Sequence, residues 1–167
     1  MIKIEIIEHR ECSDTLIRQI CEFKNLNWQY PIESHLSWIK INLKSEDLHL
    51  LLYEDDRMCA YLNFVDTSII EDKDTIHIWG IGNVCVSPEC KGMGYGHLIM
   101  DIAKSYCKKS KRIGMLFCQD KNVGFYNNCG WFSFNGAIEN VDHGNYKINT
   151  FATKAISAKK ITILRDF

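Results

Sequence analysis

Proline is nearly missing from this sequence, with two residues in 167, and no Pro/Gly/Ser-rich or low-complexity stretch interrupts it. Nothing marks a linker or hinge, so the length predicts one domain over residues 1–167. No apolar run approaches the ~20 residues of a membrane helix. The opening Met1-Ile2-Lys3-Ile4-Glu5-Ile6 alternates with charge, unlike a secretory leader. Neither charge is in excess: 20 Lys+Arg stand against 21 Asp+Glu. That balance argues against a general polyanion binder, so no nucleic acid and no membrane partner is expected. Eight cysteines are present, yet none form a C-x-x-C pair. A zinc module is therefore not expected, nor any other metal. Cys59, Cys85 and Cys118 lie in apolar runs, where cysteine acts as a small hydrophobe, and reduced thiols in a cytoplasmic setting are expected.

What is present reads as alternating strands and helices. Ile2, Ile4 and Ile6 give a strand period. Ser13 or Asp14 caps a helix with Leu16/Ile17, Ile20 and Phe23 on one face. Asn25–Tyr30 reads as a loop, and Pro31 opens a second helix carrying Leu36, Ile39 and Leu43 inward. Leu48–Tyr53 and Met58–Val65 flank the polar turn Glu54-Asp55-Asp56-Arg57, an antiparallel hairpin. Thr67–Asp74 is polar and acidic and reads as a loop, followed by a long strand over Thr75–Val86. Gly80 and Gly82 inside that strand predict a bulge or the close approach of another backbone or a ligand. Further on come a helix with Leu98, Ile99, Ile102, Ala103 and Tyr106 inward, a buried strand Gly114–Cys118 and a short helix Asn122–Asn128. Gly130 stands as that helix's C′ residue, two places late. Trp131–Asn135, Tyr146–Ala152 and Ile161–Leu164 read as closing strands.

The chemically informative stretch is Val84-Cys85-Val86-Ser87-Pro88-Glu89-Cys90-Lys91-Gly92-Met93-Gly94-Tyr95-Gly96-His97-Leu98: strand, turn, amphipathic helix. Alternate glycines free the backbone to wrap a ligand, and the helix that follows offers unpaired N–H groups and a positive dipole end. That combination binds phosphate or pyrophosphate. Lys91, and Lys111 or Arg112 later, are candidates to add charge. No G-x-x-x-x-G-K-[S/T] loop exists, and the glycine spacing and mid-chain position do not fit a dinucleotide fingerprint.

Lys91-Gly92-Met93-Gly94-Tyr95-Gly96, preceded by Val84-Cys85-Val86-x-Pro88, resembles the acetyl-CoA signature of the GNAT superfamily of N-acetyltransferases, [Q/R]-x-x-G-x-[G/A], with Lys91 where that family prefers Arg or Gln. Downstream, Asn122-x-x-Phe125-Tyr126-x-x-x-Gly130-Trp131 resembles a second family feature, with Trp in place of the final Phe. The resemblance implies an α/β (α+β) fold: a mixed, mostly antiparallel sheet flanked by helices, with the fourth and fifth strands splayed. It also implies acetyl-CoA as co-substrate and an amine as acceptor. The backbones of Val84, Cys85 and Val86 would pair with the pantetheine amides. The N–H groups of Gly92, Met93, Gly94, Tyr95, Gly96 and His97 would cradle the pyrophosphate. Asn122 would reach the CoA arm, with Phe125 as packing beside it. Tyr126 matches the family tyrosine that faces the sulfur, a general acid for the departing thiolate.

The amine must attack neutral, so a base or water relay is needed. Many relatives carry a carboxylate two to four residues before the Val84 position; here Gly80, Ile81, Gly82 and Asn83 stand there. His77 is the candidate base, ahead of Glu71, Asp72 and Asp120. Cys85 and Cys118 are expected to pack rather than to form an acyl-cysteine. The backbone N–H of Cys85 or Val86 is the natural oxyanion donor. The acidic stretches Glu71-Asp72-Lys73-Asp74 and Glu139-Asn140-Val141-Asp142 are candidates to attract a cationic acceptor. Trp28, Tyr30 and Trp38 are candidates to wall the acceptor site, with core packing or a homodimer interface as equal alternatives. A CoA-holding protein without transferase activity is the alternative reading; a nucleotide binder of another fold is a third.

Overall fold

The computed structural model describes residues 1–142, 144–146 and 148–167. The chain forms two compact units, Met1–Val65 with Asn83–Met100, and Asp66–Gly82 with Asp101–Phe167. Strands β3 (Arg57–Glu71) and β4 (Asp74–Val86) and helix α3 (Tyr95–Lys109) give residues to both.

In the first unit, β1 (Ile2–Glu8) pairs antiparallel with β2 (Leu48–Glu54), and β2 pairs antiparallel with β3. Asp55 and Asp56 take φ of 47° and 63°, the doubly positive turn whose twist suits a two-residue hairpin. On β1 the strand period is as read, but the exposed face is the one with Ile2, Ile4 and Ile6. Helix α1 (Asp14–Asn25) starts at Ser13, whose Oγ accepts from the Leu16 N–H at 3.2 Å. It buries Ile20, Cys21, Phe23 and also Lys24. Helix α2 (Ile32–Asn42) buries Ile39 and His35, with Leu36 half-buried.

A polar chain runs from half-buried His9 through His49 of β2 to Tyr61 of β3. His9 Nδ1 is 3.0 Å from His49 Nε2, and His49 Nδ1 is 2.8 Å from the Tyr61 hydroxyl. His49 is fully buried; burial, then the neighbouring His9, pushes its imidazole down to about 4. The folded chain thus resists a proton that the unfolded chain accepts near 6.5. The sign follows: the stabilisation is complete above pH ~6.5 and drains away as pH falls toward 4, about 3 kcal/mol in all. Denaturant melts of the wild type and His49→Gln across this window check it. The wild type is expected to lose more stability than the variant, and parallel profiles would sink the assignment.

In the second unit the strand order is β6-β9-β5-β4-β3-β10-β7-β8. These are β5 (Ile113–Cys118), β6 (Phe132–Phe134), β7 (Ala137–Asn140), β8 (Gly144–Tyr146), β9 (Asn149–Ala152) and β10 (Lys160–Ile163), with α4 (Val123–Asn128) after β5. β4 and β5 are parallel over Ile78–Ile81 and Ile113–Leu116. Ile69, Ile78, Met115, Phe134, Ile138, Ala152, Ile161 and Ile163 make the core. The Thr67–Asp74 loop reading is corrected here. β3 runs on to Glu71 and the turn is only Asp72-Lys73, because Ile69–Glu71 pair with Ile161–Ile163. The span Tyr146–Ala152 is two strands; Lys147 between them lies outside the described residues. Glu139 and Asn140 belong to β7, not to a loop, in parallel register with Thr162 and Ile163. On α3 the inward positions here are Ala103 and Cys107, with Ile102 and Tyr106 half-buried. Gly114 lets β5 meet that helix, since a Cβ there would sit 2.7 Å from Cys107 Sγ. Gly80 makes room for the chain's own Phe167, whose Cγ would lie 2.1 Å from an added Cβ. That ring stacks on Phe117 at 4.6 Å, so the space at Gly80 belongs to packing and not to a substrate.

Candidate functional site

β4 ends at Val86, and Ser87 donates its N–H to the Cys59 carbonyl at 2.9 Å, fixing where the strand stops. Asn27 Nδ2 donates to the Val86 carbonyl at 3.1 Å, tying the end of α1 to the same point. The irregularity in this part of β4 sits at Asn83, with φ 53°. Its amide donates to Asn63 Oδ1 at 2.6 Å, so Asn83 is held and carries no base. Pro88–Cys90 form a 3-10 turn, and Met93 turns its N–H back to the Cys90 carbonyl at 3.3 Å.

Gly92 and Gly94 then take φ of 80° and 88°, the left-handed region that glycine enters without strain. Leu98 makes the first helical bond, to the Gly94 carbonyl at 3.0 Å. The N–H groups of Tyr95 and Gly96 fall in the first turn, where helix geometry supplies no carbonyl. Tyr95 is buried, and the Glu54 carboxylate pushes its phenol up to about 12, so its side chain is structural while its backbone opens the helix. Nothing lies within 4 Å of a Cβ built on Gly92 or Gly94. The turn is thus open to solvent, with exposed Lys91 at its start and first-turn N–H groups beyond it, a combination that suits an anion. Cys85 is buried, which pushes its thiol up to about 12; it stays protonated and is no nucleophile.

The same unit holds a cavity of about 360 Å³ lined by Lys24, Trp28, Tyr30, Ser34, His35, Trp38 and Asn83. The three aromatics singled out in the sequence therefore do share one hollow. Lys24, which sequence reasoning passed over, is 3% exposed, with its Nζ 4.4 Å from the centre of the Trp38 ring. Its spacing of four from Ile20 and three from Cys21 was the available signal, for it continues the apolar face of α1.

In the second unit, Tyr126 is buried on α4, edge-on to Phe125 at 5.0 Å and tilted on Phe151 at 5.7 Å. Burial, then the Cys118 and Cys129 thiols, pushes its phenol up. The α4 C-terminus is fixed by a Schellman cap: Gly130 N–H donates to Asn127 at 2.9 Å and Trp131 N–H to Tyr126 at 3.2 Å. Cys129 is the C-cap and Gly130, φ 70°, is C′ with no offset, correcting the late placement. Lys104 Nζ adds a 2.7 Å bond to the Cys129 carbonyl. Asn122 is half-buried at the end of a 3-10 turn just before α4.

Other expectations are corrected. His77 is exposed, with Nδ1 3.1 Å from Ser68 Oγ, just before the Ile78↔Ile113 pair. Tyr126 follows the other end of β5, whose five steps span roughly 17 Å. The length of β5 thus lies between His77 and the segment that leads to Tyr126. Asp120 accepts from Asn149 at 2.6 Å. Arg112 is 2.9 Å from Asp66 and lies over Trp79 at 4.4 Å, so its charge is held there and not offered to phosphate. Glu139 pairs with Lys160 at 2.6 Å, which removes it from any cation-attracting patch. A larger hollow of about 1000 Å³, lined in part by Asn127, Phe134, Ile138 and Thr150, contains none of the predicted site residues. Among the described residues no cluster of His, Cys, Asp or Glu could hold a metal, and no helix is long and apolar enough to cross a membrane.

The fold matches that of Escherichia coli ElaA, at 19% identity and TM-score 0.67, covering 92% of this chain and all of that one. It also matches an acyl-CoA N-acyltransferase from Pseudomonas aeruginosa (16%, TM-score 0.64, 91% and 97% covered). A third match is the Bacillus subtilis N-acetyltransferase YlbP in complex with coenzyme A (15%, TM-score 0.54, 91% and 95% covered). No curated protein matches the chain in sequence. The model of the acetyltransferase (GNAT) family matches residues 14–131. With that match over most of its length, and with the mixed, mostly antiparallel sheet flanked by helices that GNAT acyltransferases share, the chain belongs to the GNAT acetyltransferase family.

Proposed function

We propose that the protein transfers an acetyl group from acetyl-CoA directly to a primary amine of a small molecule or peptide. The observation that carries this is the turn at Gly92 and Gly94 opening α3, in a chain of this family. When bound, acetyl-CoA supplies the activated acyl thioester. The main chain of Val84–Val86 pairs with the amide-bearing arm, and the Gly92–His97 backbone with Lys91 holds the pyrophosphate. The N–H of Cys85 or Val86, just past the irregularity at Asn83, steadies the oxyanion. Asn122 and Phe125 border the arm's far end, and the Tyr126 phenol donates a hydrogen bond toward the departing sulfur. None of Gly80, Ile81, Gly82 and Asn83 bears a base, so the amine arrives neutral or loses its proton to water. The eight cysteines are all unbridged, which suits the reducing cytoplasm proposed for this chemistry.

The test is incubation with acetyl-CoA and a panel of primary amines, following release of the CoA thiol. Amine-dependent release is expected. Acetyl-CoA binding without release for any amine would leave a CoA-holding protein, the reading favoured by the missing strand carboxylate. Stabilisation by ATP or NAD but not by CoA would overturn both.

A further inference from the structure

Lys24 points to the class of the acceptor. It lies on an apolar helix face, is 3% exposed and borders a cavity of about 360 Å³, the size of a small-ligand site. Among the described residues no carboxylate pairs with it. Its Nζ meets the Trp38 ring face at 4.4 Å, and burial pushes its ammonium down with only the Cys21 and Cys85 thiols acting against that. One ring face offsets only part of what burying an ammonium costs. No Asp or Glu lines the cavity. His35 is engaged by the Trp28 carbonyl at 3.0 Å, and the Asn83 amide by Asn63. The hollow therefore lacks an anion and offers flat apolar walls in Trp28, Tyr30 and Trp38.

We propose that this cavity receives the acceptor and that Lys24 selects one bearing a carboxylate beside a flat apolar group. This rests on the transferase reading for the word acceptor, but the binding chemistry stands by itself. It reverses the cationic acceptor expected from the acidic stretches. A carboxylate suits the site better than a phosphate monoester, since its single charge matches the one lysine in the lining, whereas a second negative charge would find no partner there.

Binding of phenylacetate, phenylacetamide and phenyl phosphate, read by the fluorescence of Trp28 and Trp38 and by ligand-observed NMR, tests it. Phenylacetate is expected to bind at least tenfold more tightly than phenylacetamide, with K24M abolishing the preference and K24R retaining it. Equal binding of the two in the wild type, no binding of phenylacetate at about 10 mM, a preference that survives K24M, or phenyl phosphate binding more than tenfold tighter than phenylacetate would each overturn it. If K24M does not fold, the wild-type comparison and K24R decide alone. Thermal stabilisation by acetyl-CoA is measured in parallel. Its presence without a carboxylate preference overturns the acceptor class and spares the transferase reading; the reverse pattern overturns the transferase reading and spares the pocket.

Discussion

A Gly94→Glu protein is expected to fold and yet to lose its stabilisation by CoA. Nothing lies within 4 Å of a Cβ at this position, so the substitution meets no crowding in the ligand-free fold. The residue sits at φ 88°, where a side chain costs about 1–2 kcal/mol of backbone strain. The larger effect is on the ligand. A carboxylate about 4 Å from a phosphate charge is repelled by about 4 kcal/mol at an effective dielectric near 20, less in this exposed loop under salt. Binding should weaken by one to three orders of magnitude, roughly. At a CoA concentration of about 100 times the wild-type Kd, the wild type gains about 2.7 kcal/mol; the variant should keep about half of that if binding weakens tenfold and almost none if it weakens a thousandfold. Gly94→Ala carries the strain without the charge and should fall between. Thermal melts with and without CoA read all three proteins. Undiminished protection of Gly94→Glu would remove the glycine turn from the phosphate site.

That turn was legible in the sequence because its chemistry is local. Positive φ at Gly92 and Gly94 and the helix that follows are set within a dozen residues, and so was the hairpin around Asp55-Asp56. What was hidden depended on distant partners. Thr67–Asp74 is polar enough to read as a loop, yet β3 runs through it to Glu71, between β4 on one side and Ile161–Ile163, some ninety residues later, on the other. Glu139 reads as a free acid until Lys160, delivered by the same strand β10, closes on it. His77 has suitable chemistry for a base, but register decides where it stands, and the Ile78↔Ile113 pairing places it at the other end of β5 from the segment that leads to Tyr126. Lys24 shows the converse error. A lysine letter reads as solvated surface, whereas its helical position buries it beside three aromatics that the sequence did mark.

Tyr126→Phe is expected to lower turnover more than tenfold while leaving stability and CoA binding nearly unchanged. The ring is fixed by packing: Phe125 and Phe151 flank it, the Schellman cap at Gly130 ends its helix, and Lys104 holds the Cys129 carbonyl. Phenylalanine preserves all of that. A change in rate without a change in melting temperature is therefore a chemical effect of the hydroxyl. Burial also defines the role more narrowly than general acid. The phenol is held above its ordinary value of about 10, whereas a thiol ionises near 8.5, so full proton transfer to the departing sulfur runs uphill. Tyr126 is better suited to donate a hydrogen bond as negative charge gathers on sulfur, with solvent completing the protonation. A donor that meets charge only in the transition state should affect kcat more than KM for acetyl-CoA. The same reasoning keeps the phenol protonated up to pH ~10, so any alkaline fall in rate below that must come from another group. Turnover of the variant equal to the wild type would take Tyr126 out of the mechanism, and equal losses of stability and rate would make its role structural.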